Sequence, residues 1–236
     1  MPPSQTAERP PSPVELAVVV PVRNEQGNIS PLIDEISRAL GAVNFEIVYV
    51  NDGSTDATAS ILADCAKKYP ALKVVTHKAA FGQSAAIASG IKAARATVIA
   101  TIDGDGQNDP ADIPRLLAVY NEADDNARLL VAGLRTVRKD TWAKRMSSRI
   151  ANRVRRRLLH DDTPDTGCGL KVFSRSTFME MPRFDHMHRF LPALMMRQGG
   201  RVVSVPVNHR RRRSGVTKYG LFDRLWVGII DLFGVV

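Results

Sequence analysis

Residues 16–56 read LAVVVPVRNEQGNISPLIDEISRALGAVNFEIVYVNDGSTD, two short β-branched runs on either side of an amphipathic stretch. Leu16 to Pro21 and Glu46 to Asn51 have the length and composition of buried strands. Between them Ile29, Leu32, Ile33, Ile36 and Leu40 recur at helical spacing. Strand, helix and strand in that order form a βαβ unit with its two strands parallel. The pattern continues downstream. Leu72 to Thr76, Thr97 to Ile102 and Leu129 to Gly133 are further strand candidates, while Ile61, Leu62 and Cys65, and then the Ala-rich run after Phe81, favour helix. The expected fold class is α/β, a mostly parallel sheet flanked by helices. Such sheets bind ligands in the crevice beyond the carboxyl ends of their strands, so polar residues at those ends carry the functional information.

Composition bounds the partners. With 236 residues and 44% hydrophobic content the chain can bury one well-formed core. Lys and Arg number 33 against 24 Asp and Glu, a formal charge of +9, which favours phosphates, nucleic acid or acidic lipid as partners. Cys65 and Cys168 stand alone, in neither a zinc spacing nor a disulfide framework, as in a reducing cytoplasm. Residues 1–14 are Pro-rich and lack the basic and apolar regions of a secretory signal, so they read as a disordered tail. The domain is expected over 15–220, with 221–236 an amphipathic or membrane-proximal segment.

Three strand ends are polar. The first runs into Pro21, Arg23, Asn24 and Glu25, the second into Asn51-Asp52-Gly53-Ser54-Thr55-Asp56, and the fourth into Asp103-Gly104-Asp105-Gly106-Gln107. Each alone is also ordinary turn and capping chemistry. Their occurrence on one sheet edge is what turns alone would not require. Asp103 and Asp105 lie on one glycine-flanked segment, so both carboxylates can approach a common point. At about 4 Å their repulsion is roughly 1 kcal/mol in water and roughly 4 kcal/mol at an effective dielectric of 20. A hard divalent cation, Mg²⁺ or Mn²⁺, relieves that repulsion, with Gln107 as a third oxygen donor. A solvated acidic turn before Pro110 is the alternative reading.

Other chemistries leave no signature in the sequence. The chain contains no glycine-rich dinucleotide fingerprint, no Gly-Lys-Ser/Thr phosphate loop and no His-Glu-x-x-His site. The five histidines are scattered.

The ordered set Pro21-Val22-Arg23-Asn24-Glu25, Val50-Asn51-Asp52-Gly53-Ser54-Thr55-Asp56, Phe81-Gly82-Gln83, Asp103-Gly104-Asp105-Gly106-Gln107 and Gly167-Cys168-Gly169 resembles glycosyltransferase family 2. Arg210 to Tyr219, RRRRSGVTKY, is similar to the basic element of that family's polyprenyl-phosphate group, which contains dolichol-phosphate mannose synthases and bacterial undecaprenyl-phosphate sugar transferases. Two departures are Ala79-Ala80, where relatives often carry Arg-Asn, and Lys171, where Arg is usual. The resemblance implies a GT-A fold and a metal-assisted, inverting transfer from a UDP- or GDP-linked sugar to a polyprenyl phosphate. It implies that Asp52 holds the base, that Pro21, Arg23, Asn24 and Glu25 contact base and ribose, and that Asp103, Asp105 and Gln107 carry Mg²⁺ or Mn²⁺. Arg135, Arg210, Arg212 and Lys218 become candidates for donor or acceptor phosphate, with Arg211 and Arg213 read as solvated. Asp165 matches an acidic position often assigned as a base. Because a phosphate monoester is mostly dianionic at neutral pH, with a second pKa near 6 on the order of other monoesters, orientation is the competing role.

Residues 135–159 are basic, with Trp142, Met146, Ile150, Val154 and Leu158 every four residues. This stripe suits an anionic membrane interface and equally suits packing on the domain. Leu221 to Phe233 is apolar but interrupted by Asp223, Arg224 and Asp231. Together these imply peripheral attachment to the cytoplasmic face of a membrane. A nucleic-acid partner would leave the acidic strand ends facing a polyanion, so none is expected. Two alternatives stay open, a family 2 enzyme with a saccharide or other soluble acceptor and an inactive nucleotide-sugar-binding homologue. The sequence specifies no oligomeric state.

Overall fold

The computed structural model describes residues 13–135 and 163–212. The strands β1 (Leu16–Val22), β2 (Phe45–Asp52), β3 (Leu72–His77) and β4 (Val98–Thr101) run parallel in the order β3-β2-β1-β4. Between successive strands lie α1 (Ile29–Ala39), α2 (Thr58–Lys68) and α3 (Gln83–Ala93). A strand covered on both faces reads as a continuous apolar run, and β1 shows why. Leu16, Val18, Val20 and Val22 belong to the core under α1 and α2, while Ala17 and Val19 belong to the core under α3.

Close approach of α3 to the sheet depends on one residue type. A Cβ at Gly90 would lie 2.5 Å from Val19 Cγ1 and 3.0 Å from Val50 Cγ2, so the helix can sit there only without a side chain. At the amino-terminal edge of the sheet, buried Glu46 accepts from the N–H groups of Arg95 and Ala96 at 2.5 and 3.1 Å. That acid is spent on joining the turn before β4 to β2.

The second half adds α4 (Ile113–Asn121), β5 (Leu129–Arg135), β6 (Lys171–Ser174), α5 (Arg175–Glu180), α6 (Leu191–Arg197) and β7 (Arg201–Val207). The sheet then reads β3-β2-β1-β4-β6-β5-β7, with β6 antiparallel to both β4 and β5, and β5 parallel to β7. All five expected strands are present, and β6 and β7 are additional. Reversal at β6 turns the chain back across the carboxyl end of β4, which carries Gly167 to Gly169 to the side of Asp103.

Among the described residues no helix is long and apolar enough to cross a membrane. The basic stretch from Trp142 to Leu158, Arg213, Lys218 and the segment 221–236 lie outside the described residues, as does most of the Pro-rich tail.

Candidate active site

The loops after β1 and β2 are stapled into one unit. Asn24 adopts φ 55°, a conformation that asparagine tolerates better than most residues. From there its N–H donates to Ser54 Oγ at 3.0 Å and its Oδ1 accepts from the Thr55 N–H at 2.8 Å. The Glu25 N–H donates to Thr58 Oγ1 at 3.0 Å. Asp52, at the end of β2, fixes a third segment. Its two oxygens accept from the N–H groups of Phe81 and Gly82, both at 2.8 Å, and Oδ1 lies 2.8 Å from His77 Nδ1. His77 Nε2 in turn meets Ser89 Oγ on α3 at 2.9 Å.

β4 delivers the acidic turn. Burial, and then the neighbouring charge of Asp105, raise the Asp103 carboxyl above its ordinary pKa. Asp103 Oδ1 accepts from Gln83 Nε2 at 2.8 Å. Gly169 backs onto this carboxylate so closely that a Cβ there would collide with it. Asp105 accepts from the Gln107 N–H at 3.0 Å and from Arg212 Nη2 at 2.7 Å. Gln107 Nε2 reaches the Arg210 carbonyl at 3.5 Å, which leaves its amide oxygen as the acceptor end. Among the described residues no three His, Cys, Asp or Glu side chains form a metal-binding group. The set on offer is therefore two carboxylates and an amide oxygen, all hard donors, with one carboxylate partly buried beside a like charge. These residues fit a hard divalent cation.

The late basic segment reaches this turn through the backbone. Asn108 and His209 form an antiparallel bridge, and the Arg210 N–H donates to the Gln107 carbonyl at 2.8 Å. The two arginines then diverge. Arg210 Nη2 donates to Glu35 Oε2 on α1 at 2.7 Å and to the Asn108 carbonyl at 2.8 Å. Arg212 alone of the two meets the acidic pair. Arg135 lies bidentate on buried Asp165, with both contacts at 2.7 Å.

Two cavities meet at Asp103. The larger, of about 280 Å³, is lined by Pro21, Arg23, Glu25, Asp52, Asp105 and Arg212 among others. The smaller, of about 140 Å³, lies against Gly167, Cys168, Gly169, Lys171 and His188. Pro21, Gln83, Asp103 and Arg189 line both. Burial pulls the Lys171 ammonium below its ordinary pKa. Burial, then the charges of Lys171 and Arg189, push the His188 imidazole down to about 3, so it is neutral across the physiological range. The Ser84 hydroxyl accepts from the His188 backbone N–H at 3.3 Å and lies 2.7 Å from its Nδ1. A hydroxyl that donates to Nδ1 leaves the ring hydrogen on Nε2.

A family model described as Glycosyl transferase family 2 matches residues 17–181, a range that includes Asp52, Asp103, Asp105 and Gly167 to Gly169 and stops before His188, Arg189 and Arg212. The chain belongs to family 2. Among curated family 2 relatives, the chain is similar to dodecaprenyl-phosphate galacturonate synthase of Rhizobium johnstonii. The two are 37% identical over 232 residues, covering 94% of this chain and 66% of the relative. It is also similar to undecaprenyl-phosphate 4-deoxy-4-formamido-L-arabinose transferase of Edwardsiella ictaluri, at 34% over 210 residues, covering 87% of this chain and 63% of the relative. The chain thus spans slightly less than two thirds of the length of these relatives.

Solved structures give the fold. Glucosyl-3-phosphoglycerate synthase from Mycobacterium tuberculosis, in complex with Mn²⁺, UDP and phosphoglyceric acid, superposes with a TM-score of 0.69 at 19% identity, over 94% of this chain and 76% of that one. A mannosyltransferase from Pyrobaculum calidifontis, in complex with GDP-Man and Mn²⁺, gives 0.68 at 20% identity, over 99% and 67%. The sheet and its flanking helices are the GT-A arrangement of family 2.

Of the residues singled out in the sequence, the larger cavity brings together Pro21, Arg23, Glu25, Asp52, Asp103, Asp105 and Arg212. Asn24, Gln107, Arg135, Asp165 and Arg210 line neither cavity, and each holds a neighbouring segment instead. Sequence reasoning gave no role to His77, Gln83, His188 or Arg189. Gln83 stood within a quoted motif, whereas His188 and Arg189 sit on a short 3₁₀ turn with no pattern to mark them.

Proposed function

We propose that the protein transfers a sugar, with inversion, from a nucleotide-diphosphate donor to a polyprenyl phosphate, using Mg²⁺ or Mn²⁺. The observation that carries the reading is the Asp103 and Asp105 pair at the meeting of two cavities, one beside Asp52 and the loops after β1 and β2 and the other beside Gly167 to Gly169. The polyprenyl acceptor is supported by the two curated relatives, both named for polyprenyl-phosphate substrates. Peripheral attachment to a cytoplasmic membrane face is part of the same reading, since the lipid chain of such an acceptor stays in the bilayer.

In this reading the larger cavity takes the nucleotide. Asp52 has two oxygens engaged by backbone N–H groups, yet a carboxylate offers about four acceptor sites, so a ring N–H of the base can still be received. Asp103 and Asp105, with Gln107, would hold the cation, which when bound neutralises the diphosphate and the charge growing on its leaving oxygen. An acceptor phosphate oxygen forms a bond to the anomeric carbon as the bond from that carbon to the diphosphate breaks. The dianionic acceptor brings its own electron pair and needs no base. Asp165, with both oxygens on Arg135, is suited to orienting that guanidinium rather than to taking a proton.

The test is transfer from a panel of UDP- and GDP-sugars to a short-chain polyprenyl phosphate, with divalent metal and with excess EDTA. One donor should be used, and EDTA should abolish turnover. Asp105→Ala should cut turnover by about 10²-fold or more, a size typical of losing a group that stabilises transition-state charge. Full activity in EDTA would sink the metal assignment, and transfer only to soluble saccharides would sink the acceptor.

A further inference from the structure

Of the four basic residues expected from the sequence to bind phosphate, the three that are described, Arg135, Arg210 and Arg212, are each engaged by a carboxylate at 2.7 Å. Arg189 differs. Its guanidinium carries no hydrogen bond or ion pair among the described residues, although it is only partly exposed and lines both cavities. A guanidinium is always charged and presents a planar fork of donors matched to the two oxygens of a phosphate or carboxylate. Half-buried and open to the cavity, that fork is free to exchange its water for the oxygens of an incoming anion.

The smaller cavity has a matching character. Besides Arg189 it is lined by Lys171 and His188, and Asp103 is its sole acidic lining residue among the described residues. Asp103 is the group that a bound cation would neutralise. With that charge cancelled, the wall beside Gly167 to Gly169 is basic, and no other acid lines it among the described residues. Neutral His188 adds a hydrogen-bond donor without adding charge. The larger cavity, in contrast, carries Glu25, Asp52 and Asp105 together with Asp103.

We propose that the smaller cavity is an oxyanion subsite in which Arg189 binds a phosphate or carboxylate group of the substrates other than the donor diphosphate. The proposal rests on the transfer reading above for its substrates, which have two sources of that chemistry, the phosphate monoester of the acceptor and an acidic substituent on the transferred sugar. Arg189 stands between the cavities, where an incoming group must lie to reach the anomeric carbon, and it would hold that group while leaving the acidic turn to the diphosphate.

The experiment is equilibrium titration of the full chain with methyl phosphate and, separately, with glucuronate, followed by calorimetry or NMR. At least one probe should bind, and Arg189→Ala should weaken it by about tenfold or more, the scale of one charge-assisted hydrogen bond, while affinity for UDP or GDP with Mg²⁺ changes by less than about twofold. Arg189→Lys should recover part of the loss. A response to methyl phosphate assigns the subsite to the acceptor, and a response to glucuronate assigns it to the sugar. Absence of binding by both probes, wild-type binding in Arg189→Ala, or a parallel loss of nucleotide affinity would each overturn the subsite. Probe binding that responds to Arg189 in a chain that fails to glycosylate polyprenyl phosphate would keep the subsite and overturn the transfer reading alone.

Discussion

At the scale of single residues, Asp103, Lys171 and His188 are held in surroundings that disfavour their charged forms. His188 offers the most direct test. Its folded pKa of about 3 lies below the 6.5 of an ordinary imidazole. Between those values the unfolded chain binds a proton that the folded chain refuses, so the contribution is fully present above about pH 6.5 and is lost as pH falls toward 3, at up to ~1.4 kcal/mol per pH unit. Chemical denaturation between pH 4.5 and 7.5 should show stability falling on the acid side, and His188→Gln should flatten that slope. Equal slopes in both proteins would mean that the imidazole binds its proton alike in the folded and unfolded chain. Asp103 has the opposite sign. Its raised pKa means that the folded state holds a proton more tightly, so ionising it costs stability as pH rises, and Asp103→Asn should raise the melting temperature of the metal-free protein at pH 7 while removing turnover. A melting temperature lowered by that substitution would show the carboxylate to be compensated within the fold. These two residues also mark what the sequence could and could not tell. Asp103 and Asp105 are legible because two carboxylates one glycine apart at a strand end are near each other whatever the tertiary structure. His188 and Arg189 acquire their surroundings only when α3, β6 and the short turn after α5 are packed together.

At the scale of elements the informative comparison is between the two halves of the sheet. The βαβ half was readable because each strand is buried on both faces and each helix carries a single apolar stripe. β6 escaped because four residues, KVFS, are too few to show a period, and its antiparallel direction is fixed by β4 and β5 rather than by its own composition. β7 is an edge strand, and Pro206 within RVVSVPV is tolerated there because an edge leaves N–H groups without a ladder partner. The segment after β7 shows the same limit. Four successive arginines look interchangeable, yet Arg210 turns to Glu35 on α1 while Arg212 turns to Asp105. Arg210 is thus a clamp that sets where Arg212 lies. With side-chain exposures of 26% and 18%, the Arg210 and Glu35 pair is partly screened, and removing either partner should cost about 1–2 kcal/mol rather than the 3–5 of a fully buried pair. Glu35→Ala should also lower turnover, although Glu35 lines neither cavity. A double-mutant cycle of Glu35→Ala with Arg210→Ala, read in urea denaturation and in kcat, tests this. Strict additivity would mean that the pair is not coupled.

At the scale of the whole molecule, charge and topology act together. Basic residues crowd the segments 135–159 and 208–218, while Glu25, Asp52, Asp103 and Asp105 share one cavity. In the proposed reaction a polyprenyl chain cannot leave the bilayer cheaply, so its phosphate must be met at the interface. Each basic residue near an anionic leaflet contributes roughly 1 kcal/mol, and the apolar residues Trp142, Met146 and Leu221 to Phe233 would add binding in proportion to the area they bury. Several such residues acting together suffice for reversible attachment without a spanning helix. The full chain should therefore bind anionic liposomes at low salt and release them as ionic strength rises, because the electrostatic part is confined to about a Debye length, ~10 Å at 0.1 M. Deleting residues 221–236, or changing Trp142 and Met146 to Ser, should weaken binding while leaving the affinity for the donor nucleotide unchanged. Co-sedimentation with vesicles of mixed anionic and neutral lipid, with and without polyprenyl phosphate, measures both parts. A chain that ignores these vesicles at low salt in both conditions would contradict membrane attachment, and a soluble acceptor would then become the preferred substrate for the same cavity beside Arg189.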